Sequence, residues 1–120
     1  MKKQDYVSKI IECCTKREEI LINDEPMWKY NRQFDRMRKY ARKLIDEDRQ
    51  EELLPYLEYD SISIQHDIAG LLYNSYTDKC REVLMRISEM TVNSGLPLCF
   101  TICATSSHMA LKHGIPKDFP

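Results

Sequence analysis

Few residues in this chain have the types and spacing that chemistry needs. There are five cysteines (Cys13, Cys14, Cys80, Cys99, Cys103) and three histidines (His66, His108, His113). Cys99 and Cys103 stand one helical turn apart, so they could share a metal ion. A closed zinc site needs about four ligands, yet His108 and His113 are wrongly spaced from that pair and no CxxC occurs. His66, Asp67 and Cys80 sketch a nucleophile–base arrangement. Adjacent helical residues point about 100° apart, so His66 and Asp67 are not expected to orient one another. His66 is expected on an exposed face with Ile62 and Tyr73. No Gly-rich phosphate loop, GxSxG elbow or HExxH is present. The expectation is a protein with no catalytic residues, no metal and no cofactor.

Charge patterning is more informative. Arg32, Arg36, Lys39 and Lys43 form a basic row along one side of a helix, as phosphate contact requires. Asp35 is the only acid between Trp28 and Ile45. The alternative is a solvated face paired locally: Asp35 with Lys39, Arg42 with Asp46, and Lys43 with Glu47. The sign then flips. Asp46, Glu47, Asp48, Glu51, Glu52, Glu58 and Asp60 follow, with Arg49 the only base among them. Tyr56 and Tyr59 lie in the same run, and tyrosines anchor interfaces. Asp46, Glu47, Glu51, Glu52, Tyr56, Glu58, Tyr59 and Asp60 are therefore the candidate surface for a basic protein partner. With a formal net charge of −1 over 120 residues, no overall field recruits nucleic acid or membrane.

Helices must position these groups. The spacing predicts a first helix over about Gln4 to Ile22, its apolar face interrupted by Lys16-Arg17-Glu18-Glu19. Asn23-Asp24-Glu25-Pro26 is a stop-and-restart signal in which Asp24 can cap and Pro26 fits a first turn. A long helix to about Asp48 buries Tyr30, Phe34, Met37, Ala41 and Leu44, spaced three and four apart. Gln50 to Leu57 reads as a short or bent helix, because Pro55 lies inside it. Two amphipathic helices follow, from Ser61 to Tyr73 and from Thr77 to Met90. The first is apolar over more than half its circumference and is expected to be the most buried element. Gly70 within it suggests a close helix–helix approach. Thr77 is a plausible cap for the second, and Glu82 and Arg86 pair along it. After Asn93, Ser94 and Gly95, a last helix begins near Leu96-Pro97 and stops at Gly114.

Met90 to Leu111 holds no Asp, Glu, Lys or Arg. Breaks at Asn93, Ser94, Gly95 and Pro97, with the polar residues Thr105 to His108, leave it far short of the ~20 apolar residues of a span. The polar start Met1-Lys2-Lys3-Gln4-Asp5 carries no signal-peptide pattern. Unpaired, odd-numbered thiols on apolar faces suit a cytoplasmic location.

From Leu53-Leu54-Pro55-Tyr56-Leu57 through Leu71-Leu72, then Val83-Leu84 and Leu98 to Leu111, the chain resembles the HEAT/armadillo class of helical repeats. More narrowly, it is similar to a family of small bacterial proteins of unknown function with that fold. The resemblance covers roughly the last two-thirds of the chain. It departs at Gln65, where repeats of this class often carry a basic residue. It implies an all-α scaffold of about six helices in antiparallel pairs, a short solenoid that binds protein or nucleic acid along one surface. Small charged helical proteins of this type also look similar to bacterial immunity proteins, which neutralise a toxin by tight association. The expected role is a non-enzymatic binding module for a basic toxin domain. Nucleic-acid binding through Arg32 to Lys43, or self-association through the uncharged last helix as a homodimer face, are the alternatives.

Overall fold

A computed structural model describes residues 5–89 and 98–120, the side chains of 98–100 excepted. Met90, Asn93, Ser94, Gly95, Leu96 and Pro97, and the side chains of Leu98 and Cys99, lie outside the described residues. Five α-helices and one 3₁₀ segment make up the described chain: α1 (Tyr6–Ile22), α2 (Met27–Asp46), the 3₁₀ segment (Gln50–Glu58), α3 (Ile62–Leu72), α4 (Thr77–Ser88) and α5 (Leu98–His113). Among the described residues there is no strand, and the fold is all-α. No described helix is long and apolar enough to cross a membrane.

The two long helices begin and end by identifiable chemistry. Asp5 caps α1 by accepting from the Ser8 amide at 3.0 Å, which satisfies one orphan donor of the first turn. Asp24, expected to cap α2, instead ends α1. It holds a left-handed φ of 52°, the Glu25 amide donates back to the Ile20 carbonyl at 3.0 Å, and the Asp24 amide to Leu21. That is the Schellman termination, here with Asp in the place Gly usually takes. The same device closes α2: Asp48 has φ 56°, Arg49 N–H reaches the Leu44 carbonyl at 2.9 Å and Asp48 N–H the Ile45 carbonyl at 3.0 Å. The start of α2 falls to Pro26, with no side-chain cap. Thr77 likewise caps nothing; its hydroxyl donates to the Tyr73 carbonyl at 2.8 Å. Pro55 supplies no N–H and sits mid-segment, which accounts for the tightened 3₁₀ geometry from Gln50 to Glu58.

The core runs through every element. Ile10, Cys14, Met37, Leu44, Leu53, Ile68, Leu72, Leu84 and Ile87 are fully buried within one cluster. Burying side chains such as Met37 and Leu44 contributes roughly 1.5–3 kcal/mol each. The stripe expected on α2 is inside, with Phe34 half-buried. In α3, Ser63, Ile64, Gln65, Asp67, Ile68, Ala69, Leu71 and Leu72 are all buried. Only the sector of Ile62, His66, Gly70 and Tyr73 is more open. Gly70 lies in that sector, and a Cβ there would meet nothing within 4 Å. The close approach expected at Gly70 does not occur.

Two buried polar groups on the inner faces tie α1 to α3. Arg17, expected to interrupt the apolar face of α1, is buried and donates through Nη1 to Asp67 Oδ1. Its guanidinium lies 3.9 Å from the Tyr30 ring centre and 4.9 Å from that of Phe34. His66 Nδ1 stands 3.0 Å from the same carboxylate oxygen. The two neighbours therefore do meet, despite their 100° divergence, and His66 is half-buried rather than exposed. Burial pushes the Asp67 carboxyl up, but Arg17 and His66 outweigh it and hold the group below its ordinary value. Nearby, Ser61 accepts from the Ile64 amide at 3.3 Å and donates to Glu18 at 2.7 Å, capping α3 while binding α1. Gln65 donates to the Tyr59 carbonyl and accepts from Arg86 Nη2 at 2.7 Å. Arg86 thus serves Gln65 rather than Glu82.

Residues 115–120 fold back over the body. Phe119 stacks on Phe34 with ring centres 5.9 Å apart, and Arg38 lies 4.9 Å above the Phe119 ring. Asn74, in the α3–α4 link, donates to the carbonyls of Pro116 and Phe119 at 2.7 and 2.8 Å.

Removing either member of the buried pair strands a charge. Arg17→Met or Asp67→Leu alone should destabilise by about 3–5 kcal/mol, and the double variant should recover most of that loss in urea unfolding. Additive losses would show that the pair is not coupled. The Asp67 contribution is complete above its unfolded value of about 3.9 and is lost as pH falls through the lower folded value. Asp67→Asn should accordingly flatten the acid limb of the stability profile. Gly70→Ala should raise stability by up to about 1 kcal/mol, read as an increased urea midpoint at constant slope.

Candidate functional site

The thiols among the described residues lie in the core. Cys13, Cys14, Cys80 and Cys103 are buried. Cys14 Sγ contacts Met37 Sδ at 3.4 Å, and Cys103 lies 3.7 Å from the Ser63 hydroxyl. Burial raises Cys13, drives Cys14 well up with help from Asp67, and pushes Cys80 up to about 12. The thiolate is the nucleophile, and burial disfavours it at Cys13, Cys14 and Cys80. Asp67, which lies beside His66 and Cys14, is committed to Arg17. Among the described residues no group of three or more His, Cys, Asp or Glu is placed to hold a metal.

The acidic run is not one continuous surface. Arg49, read from the sequence as a lone base, is buried and draws in its neighbours. Its Nε donates to Glu52 at 2.8 Å and its Nη1 to Glu47 at 3.0 Å, while its guanidinium covers the Tyr6 ring at 5.4 Å. These hydrogen bonds raise the Arg49 pKa further. Asp46 meets Arg42 at 3.6 Å. Tyr56 is half-buried, its ring 5.4 Å from that of Tyr59, and it borders a recess over α1 with Ser8, Thr15 and Glu19. Glu51, Glu58, Tyr59 and Asp60 remain exposed.

Glu51 and Glu58 face elsewhere. With Leu54, Pro55 and Leu57 they form one wall of a cleft of about 460 Å³ against α4, which supplies Lys79, Glu82, Val83 and Arg86. Its rim holds three carboxylates and two cations, one of them engaged with Gln65. Tyr59, 48% exposed, follows Glu58 in the chain and packs its ring on Tyr56. The α4 residues were invisible to a reading along the chain, because they join the acidic run only through folding. The one available signal was the outward placement of Glu82 and Arg86 on α4.

The basic row is exposed throughout its length: Arg32, Arg36, Lys39 and Lys43 all face solvent. Of the local pairs expected to neutralise it, Arg42 with Asp46 forms. Glu47 goes to Arg49 instead of Lys43, and Lys43 stands 5.9 Å from the rings of Tyr6 and Tyr40. The proposed dimer face, α5, turns Cys103, Ala104 and Ser107 inward and exposes Thr101, Thr105, Ser106, His108 and Met109.

Comparison with family models, with curated proteins and with solved structures gives no match.

Iodoacetamide at about pH 8 should leave Cys14 and Cys80 unmodified in the folded protein and alkylate both after urea unfolding, since reaction needs an accessible thiolate. Peptide mapping by mass spectrometry reads this directly, and native-state labelling of either residue within minutes would contradict it.

Proposed function

We propose that this protein is a non-enzymatic, cytoplasmic binding module that takes a basic protein partner at the cleft between the 3₁₀ segment and α4. The observation that carries the reading is the cleft itself. Glu51, Glu58 and Glu82, outnumbering Lys79 and Arg86, rim an apolar floor of Leu54, Leu57 and Val83, and the exposed Tyr59 follows Glu58 in the chain. A Lys or Arg side chain entering there would bury its aliphatic stem and keep its charged end at the carboxylates. Tyr59 adds an amphipathic anchor at low entropic cost. Within the acidic run, Asp46, Glu47 and Glu52 are half-neutralised by Arg42 and Arg49 and act at longer range, steering encounter rather than fixing the partner.

The finer reading is a bacterial immunity protein that neutralises a cognate toxin, such as a nuclease with a basic face, by direct occlusion. Its scaffold is then a short HEAT/armadillo-like array whose antiparallel pairs are α1 with α2, the 3₁₀ segment with α3, and α4 with α5. Packing between the members of each of these pairs supports that arrangement.

The test uses tagged protein to capture partners from the source cell, followed by association kinetics with the captured protein. Glu51→Lys, Glu58→Lys and Glu82→Lys together should slow association at least about tenfold at low salt, with little change at high salt. An unchanged rate would remove the cleft from the proposal. A captured toxin whose activity the wild type suppresses and the triple variant does not would support the immunity role.

A further inference from the structure

We propose that the outer face of α2 is a second binding site, for single-stranded nucleic acid, with one base stacked on Trp28 and phosphates held by Arg32, Arg36 and Lys39. It shares no residue with the acidic cleft, so either proposal can fail alone. Trp28 is the only tryptophan in the chain, and it is 60% exposed. At 100° per residue, Arg32 and Lys39 lie about 40° and 20° from it around the helix, and Arg36 and Lys43 flank them. The indole and the cations therefore share one face. Arg32 to Lys43 spans about 16 Å at ~1.5 Å per residue, enough for roughly four phosphates at the ~3.4 Å axial spacing of a stacked strand. Among the described residues no carboxylate pairs with Arg32, Arg36 or Lys39.

A second observation points the same way. Beside Trp28 opens a cleft of about 430 Å³ between α1 and α2, bordered by Lys16, Arg32, Arg36 and Glu19 and by the ion pair of Lys29 with Glu25. Sequence-tolerant stacking with cations along the backbone is how single strands are held.

An anionic membrane is the competing occupant, because Ile22 and Met27 are exposed beside Trp28. Asp24 is exposed in the same link, so inserting that tip would drive its carboxylate toward anionic headgroups. The cations also run along α2, away from the apolar tip. A strand lying along the helix fits that layout and a flat bilayer does not.

The test titrates the full chain with a dT oligomer, reading Trp28 fluorescence and the anisotropy of a labelled oligomer at low salt. Quenching should accompany binding, with a log–log salt slope of about −0.7 per phosphate contacted. Arg32→Ala, Arg36→Ala and Lys39→Ala together should lower the magnitude of that slope by about two. Trp28→Ala should weaken binding by about fivefold or more while leaving the salt slope in place. Circular dichroism melting is compared in parallel, and Trp28→Phe should retain affinity if stacking is the role. No quenching by the oligomer, or binding that the triple variant leaves unchanged, would overturn the proposal. So would a fluorescence blue shift on phosphatidylglycerol vesicles with no response to dT.

Discussion

The rest of the structure depends on the ion pair between Arg17 and Asp67. Two charges taken out of water cost several kcal/mol each, and their attraction offsets this only when the remaining donors and acceptors are occupied. Here Asp67 also holds His66, while the Arg17 guanidinium lies against the faces of Tyr30 and Phe34. The Arg17 Nε atom alone is left without a partner. Three helices therefore meet at one planar cation. A hydrophobic seam tolerates sliding by a turn, because one aliphatic side chain can replace another. A buried guanidinium cannot be so replaced, and it fixes α1 and α2 against α3 in one register.

The same economy governs the surface. Arg49 is used inwardly, binding Glu47 and Glu52, while Arg42 pairs with Asp46 at the surface. What remains for recognition is the charge left over once these local pairs have formed. That residue is uneven: carboxylates gather about the 3₁₀ segment, mixed charge lies on α4, and guanidinium and ammonium groups predominate along α2. The balanced formal charge of the chain conceals two unlike surfaces.

The helical seams were legible from spacing alone. Met37, Ala41 and Leu44 on α2, and Ile64, Ile68 and Leu71 on α3, lie where a three-and-four repeat requires. The last glycine stop was legible too, since Gly114 does take a positive φ of 79°. What escaped was every polar residue whose partner is distant in sequence. Arg17 resembled an interruption because its partner lies 50 residues on. Glu82 could not be assigned to the acidic wall before α4 was placed against the 3₁₀ segment. Asp24 was misread for another reason: a helix start and a helix stop favour the same small polar side chains, and only the dihedral separates them. For the binding surfaces, the residue types were readable but the division of the acidic run between two sides of the 3₁₀ segment was not.

The fold-back of residues 115–120 changes what kind of object this is. In a linear array of helical units each member touches only its neighbours, so strain stays local and unfolding can begin at an end. Here α1 touches α5, and Phe119 closes onto Phe34 while Asn74 grips the same strap from the opposite side. The chain is buckled into a loop. A disturbance at the strap reaches Phe34, and through it Arg17, within two contacts, so the periphery of this molecule is mechanically continuous with its centre.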